Sequence, residues 1–115
     1  MRNPPYICAL DAAMDVIGGK WKALILWALD ERIHRYGELR RALPGITEKV
    51  LTQQLRELEA DGIVKRTVFE DNPPRVVEYN LTDEGVALNA ALAALGEWGI
   101  RRMNAVGLTP THGRN

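Results

Sequence analysis

The sequence offers few side chains that could carry out catalysis or bind a metal ion. It contains one cysteine (Cys8), two histidines (His34 and His112) and no serine. This set excludes a serine-nucleophile triad, a disulfide framework within the chain and a zinc site built from clustered cysteines and histidines. We therefore predict that the protein is not an enzyme and has neither a metal ion nor another cofactor.

Side chains that can hydrogen-bond to the edges of DNA bases recur between residues 47 and 56. Lysine and arginine donate to guanine or phosphate, glutamine forms two bonds with adenine, and threonine contacts a thymine methyl group or a phosphate. At about 100° per residue, Lys49, Gln53 and Arg56 lie on the side of a helix opposite three leucines. The predicted DNA-contacting residues of this segment are Thr47, Lys49, Thr52, Gln53 and Arg56.

The formal net charge is zero, but the charges are unevenly distributed along the chain. Residues 32–56 hold six basic and two acidic side chains, whereas residues 78–97 hold four acidic and no basic ones. A local excess of positive charge favours contact with DNA phosphates. We therefore predict phosphate contacts from Arg35, Arg40 and Arg41.

The spacing of apolar residues predicts the elements that position these side chains. Helices are predicted over about residues 9–17, 20–29, 36–43 and 48–60, strands over 64–69 and 76–81, and a last helix over 83–104. Thr47 is the predicted N-cap of the fourth helix and Gly62 is predicted to end it, while Thr82 is predicted to cap the last helix. The order predicts a mostly helical α+β fold, a winged helix-turn-helix with a two-stranded β-hairpin as its wing.

The loop at residues 70–75 is the predicted tip of the wing, because Pro73 and Pro74 cannot lie inside a strand ladder. Arg75 is predicted to contact a phosphate strand or the minor groove from this loop. The alternative is an arginine that is only solvated.

Several separated segments form a recognisable series along the chain. They are Cys8, IGGKW at 17–21, YGEL at 36–39, LPGIT at 43–47, LTQQLRELEADG at 51–62 and PPRVVEY at 73–79. In this order they resemble the HxlR-type helix-turn-helix regulators. The resemblance extends from Cys8 to about Gly99. It implies a bacterial homodimeric winged-helix transcription factor, and some members of the family sense electrophiles or oxidants through an N-terminal cysteine.

The last predicted helix is apolar around most of its circumference, so a second chain is predicted to cover part of it. We expect one domain over residues 1–104 that dimerises through helices at about 8–17 and 83–104, followed by a flexible tail at 105–115. Two copies of the fourth helix would then meet a roughly palindromic double-stranded operator with half-sites about ten base pairs apart. The predicted interface residues are Leu10, Met14, Leu88, Leu92, Leu95 and Trp98.

Cys8 is the predicted sensor. It lies just before the first helix, where the helix dipole favours the thiolate. As the only cysteine of the chain, it would oxidise to a sulfenic acid, a mixed disulfide or a cross-link to a second subunit's Cys8. The alternative is a cysteine that only packs.

The sequence as a whole predicts a cytoplasmic, sequence-specific transcriptional regulator, most simply a repressor. The longest apolar run, residues 23–29, is too short to span a bilayer, so no membrane partner is expected. Two alternatives remain open. One is control by a small aromatic effector in a dimer pocket, stacked on Trp27 and Trp98, and the other is a winged-helix protein-interaction module that does not bind DNA.

Overall fold

The computed structural model describes residues 3–70 and 75–111 and has the predicted mostly helical α+β architecture. The elements are α1 (Ala9–Ile17), α2 (Trp21–Asp30), α3 (Tyr36–Ala42), α4 (Glu48–Ala60), β1 (Val64–Phe69), β2 (Val76–Leu81) and α5 (Asp83–Ala105). The two strands pair antiparallel, with Val64 opposite Leu81 and Phe69 opposite Val76. The helices α2, α3 and α4, followed by this hairpin, form the predicted winged helix-turn-helix.

The predicted boundaries of α1, α4 and both strands are confirmed, whereas α3 and α5 differ by one residue at the C-terminal end and α2 by one residue at both ends. The helix α3 ends at Ala42 because Leu43 precedes Pro44, and a residue before proline is disfavoured in the helical region. The wing-tip residues Pro73 and Pro74 lie outside the described residues, as do residues 112–115 of the predicted tail.

The helix α2 lies at the centre of the core. Its Ile25, Leu26 and Ala28 are fully buried. The remaining buried apolar residues come from α2 itself, α3, the turn after it, α4 and the start of the hairpin: Leu29, Leu39, Leu43, Ile46, Leu51, Leu55, Leu58, Ile63 and Val64. Because the leucines of α4 all point into this core, the opposite side of α4 faces outward.

The end of α4 is fastened to the start of α5. Gly62 has a φ of +74° and reverses the chain after α4, which confirms the predicted stop. The Thr82 hydroxyl donates to the Gly62 carbonyl at 2.5 Å and accepts from the Gly85 amide at 3.1 Å, so Thr82 is the predicted cap. A Cβ atom at Gly85 would lie 2.2 Å from the carbonyl oxygen of Ile63. The chain just after α4 therefore approaches α5 too closely for any larger residue at position 85.

The hairpin is also tied to the loop that precedes α3. The Tyr79 amide donates to the His34 carbonyl at 2.8 Å, and Nδ1 of His34 lies 2.9 Å from the Tyr79 carbonyl oxygen. Since a carbonyl oxygen only accepts, Nδ1 of His34 must carry the proton. His34 thus holds strand β2 in place beside α3.

Large apolar side chains remain exposed on α1 and α5. Leu10 and Met14 of α1 are 69% and 47% exposed, and Leu95 and Trp98 of α5 are 61% and 56% exposed. The other two predicted interface residues, Leu88 and Leu92, are half-buried against the core of their own chain. Among residues 3–70 and 75–111, no helix is both long and apolar enough to cross a membrane.

Candidate nucleic-acid interface

The N-terminus of α4 has the geometry predicted from the sequence. Thr47 is its N-cap, and the Thr47 hydroxyl accepts a hydrogen bond from the Val50 amide at 3.1 Å. The cap uses a lone pair of the hydroxyl oxygen, so the hydroxyl proton is still available to donate. A helix N-terminus with a free donor is suited to a phosphate oxygen.

The outward side of α4 brings three of the predicted DNA-contacting residues together. Lys49, Gln53 and Arg56 are all exposed. Together with Thr52, Glu48 and Glu57, they line one shallow groove along the helix. The groove therefore presents two cations and an amide that can pair with base edges, beside two carboxylates.

Thr52 differs from these three residues because its hydroxyl is already engaged within the protein. The Tyr36 hydroxyl on α3 donates to the Glu48 carbonyl at 2.9 Å, and it lies 2.9 Å from the Thr52 hydroxyl. A tyrosine hydroxyl has one proton, so Thr52 is the donor in the second bond. A phosphate would have to compete with Tyr36 for the Thr52 proton, whereas the Thr52 methyl group is not involved in this bond.

Sequence reasoning missed the ion pair that joins α2 to α4. Lys22 lies in the central helix α2 and is only 4% exposed, although its side chain is charged. Its Nζ lies 2.7 Å from Oε1 of Glu57. The one available signal was a lysine between Trp21 and Leu24 in a strongly apolar segment. The pair neutralises a carboxylate that lines the groove of α4, where an uncompensated negative charge would repel DNA.

The predicted phosphate-binding arginines lie on the surface. Arg35, Arg40 and Arg41 are exposed. Arg40 lies 3.9 Å from Glu48 at the start of α4, and Arg75, just before β2, lies 4.0 Å from Glu70. Ion pairs that are this long and exposed contribute little, so both guanidinium groups remain able to turn towards a phosphate.

The first strand of the hairpin carries two further exposed cations that the sequence reasoning did not single out. They are Lys65 and Arg66 of β1. Their signal was a pair of adjacent basic residues in a predicted wing strand.

Cys8 lies where the sequence placed it. It is the N-cap of α1, has an extended backbone and makes no side-chain capping hydrogen bond. Its thiol is free and exposed. Reagents in solution therefore have access to the sulfur atom.

The fold and the outward side of α4 together define a DNA-binding protein of the winged helix-turn-helix class. The model of the HxlR-like helix-turn-helix family matches residues 16–106, and the chain belongs to this family. It is therefore a transcriptional regulator and not an enzyme.

Individual relatives agree with this assignment. The chain is 46% identical over 106 residues to the HTH-type transcriptional regulator YtcD of Bacillus subtilis (strain 168). This match covers 92% of this chain and 83% of YtcD. A crystal structure of YtcD superimposes with a TM-score of 0.78 over 85% of this chain and 99% of that one. The redox regulator HypR in its oxidized form is 46% identical, with a TM-score of 0.75 over 80% of this chain and 94% of HypR.

Proposed function

We propose that this regulator is a homodimeric repressor that binds a roughly palindromic operator in the cytoplasm. The observation that carries the proposal is the two-sided character of α4. Leu51, Leu55 and Leu58 anchor one side in the core, while the other side exposes hydrogen-bonding groups. A helix of this kind fits the major groove of B-form DNA.

Within this proposal, Lys49, Gln53 and Arg56 contact base edges, and Thr47 contacts a phosphate at the helix N-terminus. Thr52 orients Tyr36 and offers its methyl group to a thymine. Phosphates on either side of the groove are contacted by the exposed arginines, namely Arg35, Arg40, Arg41 and Arg75. Repression follows because a bound dimer excludes RNA polymerase from the same DNA.

The exposed apolar residues of α1 and α5 support the dimer. A chain of 115 residues that leaves Leu10, Leu95 and Trp98 about half exposed or more has apolar surface for a second chain to cover. A two-fold dimer also gives the protein two α4 helices, which a palindromic operator requires.

Footprinting on DNA upstream of the protein's own and neighbouring genes tests the proposal, followed by binding measurements across salt concentrations. We expect a protected palindrome and an affinity that falls steeply with salt, because bound cations release counterions from DNA. Protection of no site, or affinity that is independent of salt, would instead support the protein-interaction module.

Substitution of one glutamine tests the assignment of α4. We expect Gln53→Ala to reduce discrimination at one base pair of each half-site by about 1–3 kcal/mol. Gln54→Ala is the matched control, because Gln54 is adjacent but does not line the groove. An equal loss of affinity on all operator variants would contradict base contact by Gln53.

A second proposal concerns control of the regulator through Cys8. Its free, exposed thiol at a helix N-cap supports this proposal, as does similarity to a protein named as a redox regulator. A peroxide would convert the Cys8 thiolate to a sulfenic acid and release hydroxide, and the thiol of a second Cys8 or of a small molecule would then displace the sulfenic hydroxyl as water to form a disulfide. Cys8→Ala should abolish oxidant-dependent release from the operator while leaving binding under reducing conditions unchanged. Release that persists in Cys8→Ala would refute the thiol switch.

A further inference from the structure

The two carboxylates that line the groove of α4 differ in how they are compensated. Glu57 is paired with the buried Lys22, whose Nζ lies 2.7 Å from its Oε1. The Glu48 side chain is 73% exposed, and its Oε2 lies 3.9 Å from the guanidinium of Arg40. An exposed ion pair of this length contributes little, so the Glu48 carboxylate is available to a group that enters the groove.

The backbone of Glu48 is held in place from two sides. Glu48 is the first residue of α4 and follows the N-cap Thr47. The Tyr36 hydroxyl donates to the Glu48 carbonyl oxygen at 2.9 Å, which fastens this turn of α4 to α3. In helix-turn-helix proteins, the N-terminal residues of the second helix contact the base edges. The carboxylate therefore lies at the end of α4 that meets the bases in the proposed complex.

A carboxylate at this end of the helix requires a hydrogen-bond donor on the DNA, because an ionised carboxylate can only accept. In the major groove, the available donors are the N4 amine of cytosine and the N6 amine of adenine. The adenine amine lies between two acceptors, N7 of the same base and O4 of the paired thymine. The cytosine amine has an acceptor on one side only, O6 of the paired guanine. Cytosine is therefore the base that repels a carboxylate least.

We propose that Glu48 determines sequence specificity by selecting cytosine at one base pair of each half-site. Its carboxylate accepts a hydrogen bond from the N4 amine of that cytosine. Arg40 lies beside the carboxylate and offsets its repulsion by the neighbouring phosphates. This inference rests on the proposed function, because it requires α4 to lie in the major groove.

The alternative role of Glu48 is to stabilise the N-terminus of α4 through the helix dipole, as an acidic residue of the first turn. Removal of a carboxylate with that role alone would change the stability of the protein and its affinity for every DNA sequence alike. Contact with a base instead changes the order in which operator variants are bound. Base preference therefore separates the two roles.

Binding titrations of the full-length protein test the proposal on the footprinted operator, with all four base pairs placed in turn at every position of the half-site. We expect the wild-type protein to prefer cytosine at one position by at least about fivefold. Glu48→Ala should lose this preference, and Glu48→Gln should exchange it for adenine, because an amide pairs with both N6 and N7. Glu59→Gln is the matched control, since Glu59 is an exposed acid of α4 that does not line the groove. It should leave the cytosine preference intact.

A modified operator tests the proposed donor atom without any change to the protein. N4-methylcytosine in duplex DNA still pairs with guanine, but its methyl group replaces the amine hydrogen that faces the major groove. The affinity of the wild-type protein for this operator should be at least about fivefold lower than for the unmodified one. Glu48→Ala should bind the two operators equally well.

The proposal is overturned if Glu48→Ala keeps the wild-type order of base preferences, if Glu59→Gln also loses the cytosine preference, or if N4-methylation leaves wild-type affinity unchanged. These outcomes do not affect the proposed function, which the wild-type footprint and the substitution of Gln53 decide. A wild-type protein that protects no site would contradict both proposals.

Discussion

At the scale of single residues, the candidate interface contains a buried lysine. Lys22 belongs to the core helix α2, and its Nζ lies 2.7 Å from Oε1 of Glu57 on α4, the helix proposed to contact DNA. Glu57 is partly solvated, at 30% side-chain exposure, whereas the Lys22 side chain is 6% exposed. The lysine therefore has two roles, because it links α2 to α4 and compensates a negative charge in the groove.

Lys22→Met tests both roles. We expect the free energy of unfolding to fall by about 1–3 kcal/mol, since Glu57 loses its buried partner. DNA affinity should also fall equally for all operator variants, because the groove of α4 becomes more negative. Urea denaturation and binding titrations measure the two effects. Lys65→Met, at an exposed lysine of β1, should change stability by no more than about 0.5 kcal/mol.

At the scale of elements, the angle between α3 and α4 is held by the hydroxyl of Tyr36. This hydroxyl contacts both the Glu48 carbonyl and the Thr52 hydroxyl in the first turns of α4. The bonds cross from one helix of the helix-turn-helix to the other. They consequently fix the orientation of the groove residues relative to the rest of the domain.

A double-mutant cycle of Tyr36→Phe and Thr52→Val measures this coupling. Each single variant should lose about 1 kcal/mol of stability, and the double variant should lose less than the sum because both changes remove the same bond. Denaturant unfolding of the four proteins gives the coupling energy. Strict additivity would show that the Tyr36–Thr52 contact does not contribute to stability.

The contact between the ends of α4 and α5 gives a second prediction for elements. Gly85→Ala should destabilise the fold by about 1–3 kcal/mol, because the new Cβ would lie 2.2 Å from the Ile63 carbonyl oxygen. Gly99→Ala is the control on the same helix, since nothing lies within 4 Å of its Cβ position. There the better helix propensity of alanine should raise stability by up to about 1 kcal/mol. Equal effects at both glycines would contradict the close approach at Gly85.

At the scale of the whole molecule, the proposed dimer depends on apolar residues that one chain leaves exposed. Trp98→Glu should convert the dimer to a folded monomer, because a carboxylate cannot be buried in an apolar interface without a partner. Sedimentation velocity measures the mass and circular dichroism measures the fold. Phe69→Glu, at a 47% exposed position on the hairpin, should leave the mass unchanged. A dimeric Trp98→Glu protein would place the interface elsewhere.

Much of the fold could be predicted because its signals are local. Apolar spacing predicted all five helices, and Thr47, Gly62 and Thr82 marked helix ends through their own backbone and side-chain chemistry. The contacts of Lys22 with Glu57 and of Tyr36 with Thr52 join residues 35 and 16 positions apart. Which side chains meet at such separations depends on how the helices cross. Spacing along one helix carries no information about that crossing.

The hydroxyl of Thr82 links the end of α4 to the start of α5. It joins the chain at the end of α4 to the first turn of α5, so the pivot lies at one end of a 13-residue helix. Such a helix is about 20 Å long. If α4 followed a rotation of α5 by about 10°, its far end would move by roughly 3 Å, which exceeds the tolerance of a hydrogen bond to a base. In the proposed dimer, a small change in how the two subunits pair would then break the proposed base contacts.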